Sequence, residues 1–482
     1  MHHDKLFIGG TWAQPSTDRY IEVVSPFSET PIARVAEAGP EDVDAAVTSA
    51  RAAFDSGPWP RLEPAERIAL VRRLAELYGQ RRSEMADVIT SEIGAPTSFS
   101  KRAQVGLPAM MMSAFCDLAE SYPFSETRRG LYGSDIQIRR EPVGVVAAIV
   151  PWNMPQFLTV TKLIPALLAG CTVVLKPAEE SPLNALLLAE MIAEIGLPNG
   201  VVGILPGGAA TGQHLVAHPC VDKVSFTGST ATGTAVATAC AAQLRRVSLE
   251  LGGKSAAIVL GDADPGTVAA GVRSASLSNS GQICNALTRV LVPAGRASEF
   301  TEALAAEMES LVVGDPADSA TQVGPLVTQR QQRRVRGYIE QGQSEGARLV
   351  TGGTAMPDGL DRGWYVRPTL FDHADNTMRI SREEIFGPVL TVIEYADESE
   401  AVRIANDSAY GLAGSVWTDD LDRGLAVAAA IRTGTFGVNQ GYSMDPYAPF
   451  GGVKASGYGR ELGHEGIDGY TDTKSIAVAA AH

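Results

Sequence analysis

Two kinds of apolar run alternate along this chain. Short uninterrupted ones, such as VGVVAAIV (143–150) and CTVVLKP (171–177), lack polar alternation and suit strands buried on both faces of a parallel sheet. Longer ones carry apolar residues at helical spacing. EDVDAAVTSARAAFDSG (41–57), EPAERIALVRRLAELYGQRRSEMADVITSEIG (63–94) and LPAMMMSAFCDLAESY (107–122) predict a helical N-terminal region. MPQFLTVTKLIPALLAG predicts a helix closing at Gly170, and SPLNALLLAEMIAEIGLP one with Ser181 as N-cap, Pro182 in the first turn and Gly196 as the stop. Further strands are expected at VVGILPG, VDKVSFTG and RRVSLELGG.

Strand–helix alternation over 143–252 implies a parallel, doubly wound sheet that binds ligands at the C-terminal ends of its strands. A second α/β stretch begins after Gly253 and continues through RVLVP, EEIFGPVLTVIEY and AVRIANDSAYGLAGSVWT. Between the helical region and the first sheet, TRRGLYGSDIQIRREP alternates polar and apolar residues around a Gly-Ser-Asp turn, which reads as a β-hairpin. Another short alternating strand lies in the tail GIDGYTDTKSIAVAAAH. Met110, Met111 and Met112 are consecutive, so they cannot all face one pocket; core is the main expectation, with one or two reaching a ligand channel.

Composition narrows the classes. At 482 residues the chain exceeds a single core, so two or three domains are expected. A formal net charge of −15 disfavours nucleic acid and anionic membranes as partners, and no apolar run is long enough to span a bilayer. The start MHHDKLFIGG lacks the pattern of a signal peptide, and His2 and His3 read as incidental rather than metal-binding. Five scattered cysteines (Cys116, Cys171, Cys220, Cys240, Cys284) contain no CxxC pair, which argues against a disulfide framework or structural zinc and fits a reducing cytoplasm.

Several segments could carry chemistry. In SNSGQICNALTR, Cys284 follows a glycine turn that can surround a thiol with backbone amides, whereas the other cysteines sit in apolar contexts. Glu250 closes an apolar strand in LELGGKS, where a raised pKa would suit a general base on water; an ion-pair or capping role is the alternative. VPWNMPQF fixes Trp152 and Asn153 in an irregular loop, and an Asn amide there could donate to an oxyanion. Lys176 and Glu179 of KPAE are either ribose contacts or a solvated pair at a sheet edge. FTGSTATG places Gly228 at a strand end and Gly233 in a helix start, a turn that suits phosphate but matches neither GxGxxG nor a Walker loop.

Taken in order, PWN, KPAE, FTGST, LELGGKS, GQIC, EEIFGPV and PFGGVKASGYGRELG resemble the aldehyde dehydrogenase superfamily, from LFIGGTW to YTDTKS. The resemblance implies an α/β protein with two doubly wound Rossmann-like domains and a small β oligomerisation element. The cofactor domain would comprise 1–123 and 143–252, the catalytic domain 253–466, and the oligomerisation hairpin and strand 124–142 and 467–482. A homodimer or homotetramer is expected, because exposed strand edges need partners.

The same resemblance assigns roles. Cys284 would attack an aldehyde, Asn153 and the Cys284 N–H would hold the oxyanion, and Glu250 would activate water to hydrolyse the thioester. Glu250, acting through water, and the cationic nicotinamide would favour the thiolate without a histidine. Val150, Pro151, Trp152, Lys176, Glu179, Gly208, Gly228, Ser229, Gly233, Leu251, Glu384 and Phe386 would bind the cofactor. Glu179 should accept from the adenosine 2′-hydroxyl and repel a 2′-phosphate, so NAD is expected over NADP, which Lys176 could still tolerate. Met154, Phe157, Leu158, Ile283, Asn285, Tyr442, Met444 and Phe450 would line the substrate channel. Their apolar character implies an aliphatic or aromatic aldehyde, with Asn285 and Gln156 free to read a polar group on it. Glu250 disfavours the coenzyme-A-acylating branch. Rival readings are a thiol esterase or acyltransferase using Cys284 without redox chemistry, and a non-catalytic protein on the same fold.

Overall fold

The computed structural model describes residues 2–479. Its first large sheet runs in the order Gly457–Tyr458, Arg246–Glu250, Lys223–Thr227, Val145–Ile149, Thr172–Lys176, Val202–Ile204, Leu6–Ile8, Thr11–Ala13. The five strands from 246–250 to 202–204 are mutually parallel. Successive residues of Val145–Ile149 feed opposite cores: Val146 and Ala148 pack with the helices around Leu74, Phe115 and Leu163, while Val145, Ala147 and Ile149 pack around Val47, Leu215 and Val236. Burial on both faces is why these strands read as unbroken apolar runs.

A second sheet runs Arg348–Thr351, Thr369–Asp372, Val389–Tyr395, Arg289–Pro293, Ala256–Val259, Gly414–Trp417, Gly437–Val438, parallel except for its first pair. It too divides its side chains: Ala256 and Ile258 enter one core, Ala257 and Val259 the other. Small sheets complete the architecture. One joins His2–His3, Pro31–Ala36 and Tyr20–Val24. In the other, Asp135–Pro142 pairs with Ser125–Arg129 and, on its far side, with Thr471–Ala477. The hairpin and the tail strand are thus each other's first partner. The expected tail element ran to 482; its last three residues lie outside the described residues, as does Met1. No helix among the described residues is long and apolar enough to cross a membrane.

Where the structure departs from the sequence expectations, the causes are local. The helical stretch 63–94 forms two helices, Pro64–Gln80 and Arg82–Ile93, separated at Arg81 (φ −98°, ψ 11°). Ser181 does not cap the next helix. Pro182 takes that position, and the Leu183 and Asn184 amides donate instead to the buried Glu92 carboxylate, which leaves the Ser181 hydroxyl without a hydrogen-bond partner among the described residues. Met111 and Met112 are core, Met110 is 52% exposed, and none of the three borders a cleft described below.

The expected 253–466 block also divides. Gly457–Tyr458 pairs with Arg246–Glu250 on the first sheet, and Phe450, Leu462 and Ile467 pack into the core formed by the N-terminal helices. The chain crosses back because the helix Gly463–Asp468 approaches closely: a Cβ on Gly466 would lie 3.4 Å from the Phe115 ring. Phe115→Ala should therefore cost about 3–5 kcal/mol. Denaturant unfolding of the purified variant measures this, and a loss below about 1 kcal/mol would show that the returning segment does not depend on this packing.

Candidate active site

Three clefts meet where the first sheet ends. The first, of about 420 Å³, is bordered by Val150, Pro151, Lys176, Glu179, Gly208, Gly228 and Ser229. Pro151, Gly228 and Ser229 continue into a second cleft of about 610 Å³ with Trp152, Glu250, Leu251, Glu384 and Phe386. Asn153, Leu158 and Cys284 are shared between this cleft and a third, of about 560 Å³. The third is lined by Met154, Phe157, Ile283, Asn285, Tyr442, Met444 and Phe450 together with other side chains. Cys284 and Asn153 are thus a common floor between a polar-edged cleft and an apolar one.

The loop that carries Cys284 is built by constrained backbone. Asn279 and Ser280 are left-handed (φ 51° and 57°), and Gly281 follows at φ 75°. A Cβ on Gly281 would sit 2.3 Å from the Gly387 carbonyl, so this turn packs directly onto the Phe386–Gly387 corner. The Gln282 side chain accepts from the Val327 amide and donates to the Asn279 carbonyl, fixing the loop from both sides. Asn153 Nδ2 donates to the Gln282 carbonyl at 2.9 Å, leaving its second N–H for the cleft.

Electrostatics follow burial. Burial pushes the Cys284 thiol up to about 12, and the carboxylates of Glu384 and Glu250 push in the same direction. Glu250 is held well above the usual carboxylate range, first by burial and then by Glu461; Lys162 and Arg460 oppose this. Neither Glu250 oxygen has a hydrogen-bond partner among the described residues, and Oε1 leans toward Gly451, where a Cβ would come within 2.7 Å. Glu250 and Cys284 border the same cleft but are not hydrogen-bonded to each other. Lys162 and Glu461 form a buried ion pair beside this carboxylate, and Lys162 also donates to Thr227 at 2.6 Å.

On the first cleft, Lys176 Nζ donates to the Pro177 and Gly207 carbonyls at 2.7 and 2.6 Å, and burial lowers its pKa to about 8. Glu179 lies against Gly208, whose missing Cβ would approach Glu179 Oε2 to 3.0 Å. Ser229 caps the helix Thr230–Ala241 by accepting from the Thr232 amide. Gly233 does not border a cleft; a Cβ there would strike Leu251 at 2.5 Å, so it permits the helix to pack on the end of the strand. Glu384 accepts from the Gly253 amide at 3.1 Å, and burial lifts it to about 7. Trp152 and Phe386 meet edge to face at 5.4 Å.

A sequence model of the aldehyde dehydrogenase family matches residues 12–476. The chain belongs to that family. It is similar to a geranial dehydrogenase of Castellaniella defragrans, at 45% identity over 98% of each chain. It superimposes on the crystal structure of a Mycobacterium tuberculosis aldehyde dehydrogenase complexed with NAD+ with a TM-score of 0.98, at 47% identity over 100% of this chain and 99% of that one. It also superimposes on a mutant aldehyde dehydrogenase from Pseudomonas syringae complexed with NAD+ and octanal, with a TM-score of 0.95 at 43% identity, covering 98% of this chain and 96% of the other.

Within this aldehyde dehydrogenase, one expected reader of substrate polarity is displaced. Gln156 turns from the apolar cleft, and its Nε2 donates to the Asn184 side chain at 2.7 Å and carbonyl at 3.1 Å. Other residues were not foreseen. Phe99, Ala103, Leu107 and Trp417 border the apolar cleft, and Arg330, Gln331 and Arg334 border the second. Lys162 had a readable signal: a lone lysine inside an otherwise apolar helix requires a buried partner. In the cofactor-free protein, alkylation of Cys284 should be slow near neutrality and rise about tenfold per pH unit well past pH ~9. Mass spectrometry of iodoacetamide-treated protein follows this. A plateau below that pH would mean that the thiol is not held in its protonated form by burial.

Proposed function

We propose that this aldehyde dehydrogenase oxidises an aldehyde with an apolar chain to the carboxylic acid, with NAD as the acceptor. The observation that supports this most is that Cys284 and Asn153 form the floor shared by the apolar cleft and the cleft continuous with Glu179 and Ser229. The residues present fit a dinucleotide. Gly208 leaves room beside the Glu179 carboxylate, which would take the ribose hydroxyls and repel a 2′-phosphate. Ser229 caps a helix whose free first-turn amides suit a pyrophosphate. Glu384 and Phe386, at the other end, would hold the nicotinamide ribose. NAD+ in two similar enzymes is consistent with this.

The chemistry begins with the thiol. Cys284 Sγ adds to the aldehyde carbon while Glu250, through water, takes the sulfur's proton. The oxyanion is held by Asn153 Nδ2 and the Cys284 N–H, donors already fixed before substrate arrives. NAD, held by Glu179, Ser229, Glu384 and Phe386, would supply the hydride acceptor needed to turn the Cys284 thiohemiacetal into a thioester. After giving the first proton to solvent, Glu250 takes a proton from the water that attacks the thioester carbon and passes it to the departing sulfur, releasing the carboxylic acid and the Cys284 thiol. Burial is the main influence on the charge of Glu250, with Glu461 adding to it and Lys162 opposing it.

The cleft's walls, Phe157, Leu158, Ile283, Met444 and Phe450, point to an aliphatic or terpenoid aldehyde on the scale of octanal or geranial. NADH formation with such aldehydes tests the reading directly. Turnover should need no coenzyme A, should vanish in Cys284→Ala, and should favour NAD over NADP by about tenfold or more. NADH formation that survives in Cys284→Ala would identify the wrong nucleophile, and ester hydrolysis without aldehyde oxidation would favour the thiol esterase.

The raised pKa of Glu250 sets a pH dependence. A base works only when ionised, so thioester hydrolysis should be lost as pH falls through the raised value and recover as pH rises above it. Glu250→Gln should slow steady-state turnover by about a hundredfold while sparing the first turnover of NADH more than later ones. A hydrolysis rate that does not fall with decreasing pH anywhere the unmodified enzyme stays folded would remove Glu250 from this role.

A further inference from the structure

A short π-helix, Ser100–Gly106, interrupts the helical run that leads into Leu107–Ser121; the Leu107 amide reaches back five residues to the Arg102 carbonyl. Such segments are uncommon and concentrate at functional sites. Two faces of this one do different things. Phe99, Ala103 and Leu107 form a wall of the apolar cleft. Gln104, fully buried, points away from them and donates from Nε2 to the main-chain carbonyl of Asn153 at 2.7 Å. Asn279, from the nucleophile loop, donates to the same carbonyl at 2.9 Å. The backbone at Asn153 is thus held between the cleft wall and the Cys284 loop, while its side chain is tethered to Gln282.

We propose that Gln104 is a positioning residue for the oxyanion amide of Asn153. The proposal rests on the reading of Asn153 given above. A carbonyl that accepts two carboxamide donors cannot rotate without breaking both bonds, so the Asn153 peptide plane, and with it the direction of Cα–Cβ, is set by Gln104 and Asn279. Asn153 stands in an irregular loop whose own backbone offers no ladder to fix it. Oxyanion stabilisation depends on donors held to within a fraction of an ångström. Gln104 itself lines neither cleft, so its effect must pass through the residue it holds, Asn153.

The test is a double-mutant cycle read in single turnovers. NADH formation is followed by stopped flow with enzyme in excess over octanal and NAD saturating. Gln104→Leu keeps the bulk of the side chain and removes the donor. It should slow NADH formation about tenfold while leaving the NAD dissociation constant and the thermal midpoint close to those of the unmodified enzyme. Added to Asn153→Ala, the same change should slow the reaction by less than about twofold further, because the group it positions is gone. Gln104→Glu, whose carboxyl can donate only when protonated, should regain rate relative to the unmodified enzyme as pH falls; it also serves as the test variant if Gln104→Leu does not fold.

Losses that multiply in the double mutant would overturn the proposal, as would an unchanged rate in folded Gln104→Leu. If Asn153→Ala slows NADH formation and Gln104→Leu does not, only the positioning role fails. If Asn153→Ala leaves the rate unchanged, the oxyanion reading fails and the proposal falls with it.

Discussion

The register of four parallel strands is the constraint on which the site depends. Ile149 pairs with Lys176 on one side and with Phe226 on the other, and Thr227 pairs with Glu250. These strands therefore end along one line, and the segments leaving that edge are Val150–Asn153, Pro177–Glu179, Gly228–Ser229 and Leu251–Gly253. Because side chains alternate across the sheet, a slip of one residue would exchange the two cores that Val145–Ile149 separates. The apolar pattern that makes the strands also fixes where the polar loops emerge.

Burial at that edge creates the second constraint. Cys284, Glu250 and Glu384 border one cleft, and desolvation disfavours the charged form of each. Burial, with two carboxylates nearby, keeps the Cys284 thiol protonated and so slow to oxidise or alkylate. A positive charge arriving in the same cleft would act against both desolvation and the carboxylates. Lys162 supplies a fixed cation below Glu250 but is committed to Glu461 and Thr227, so it tempers the field without neutralising it.

Segments carrying a local signature were legible in the sequence. Continuous apolar strands, the hairpin at 125–142 and the glycine-bounded turns each report a backbone need that few residue types satisfy. Asn153 and Cys284 stood out because they lie within or beside such turns, whereas the lining residues Met154, Phe157 and Ile283 were named from the family resemblance. What was missed is held by long-range packing. Phe99, Ala103 and Leu107 border the cleft from a helical run that contains a π-helical turn, and nothing in SFSKRAQVGL announces that turn. Glu461 meets Lys162 across almost three hundred positions. Ser181 looked like a cap, yet Glu92, on a distant helix, occupies the helix end instead, and a carboxylate outcompetes a hydroxyl for free amides. The return of 450–468 to the first sheet likewise depends on packing against Phe115 rather than on any local pattern.

Backbone strain is distributed in the same way as the chemistry. Non-glycine residues with left-handed φ include Asn279 and Ser280 before the thiol, Phe386 on the cofactor-side wall, and Asn439 on the apolar one. Each costs on the order of 1–3 kcal/mol unless the surroundings over-determine it. They do. Ser280 donates to the Gly324 carbonyl, Asn439 exchanges two hydrogen bonds with Thr418, and Gln331 donates to the Phe386 carbonyl at 2.7 Å. The second sheet and the helix Gln329–Ser344 therefore hold the loop residues in conformations that those residues would not choose alone. The thiol of Cys284 and the amide of Asn153 sit in turns that do not fix their own shape, so their placement depends on distant segments: the π-helical turn at Gln104 and the loops at Gly324 and Val327 clamp them from different parts of the chain.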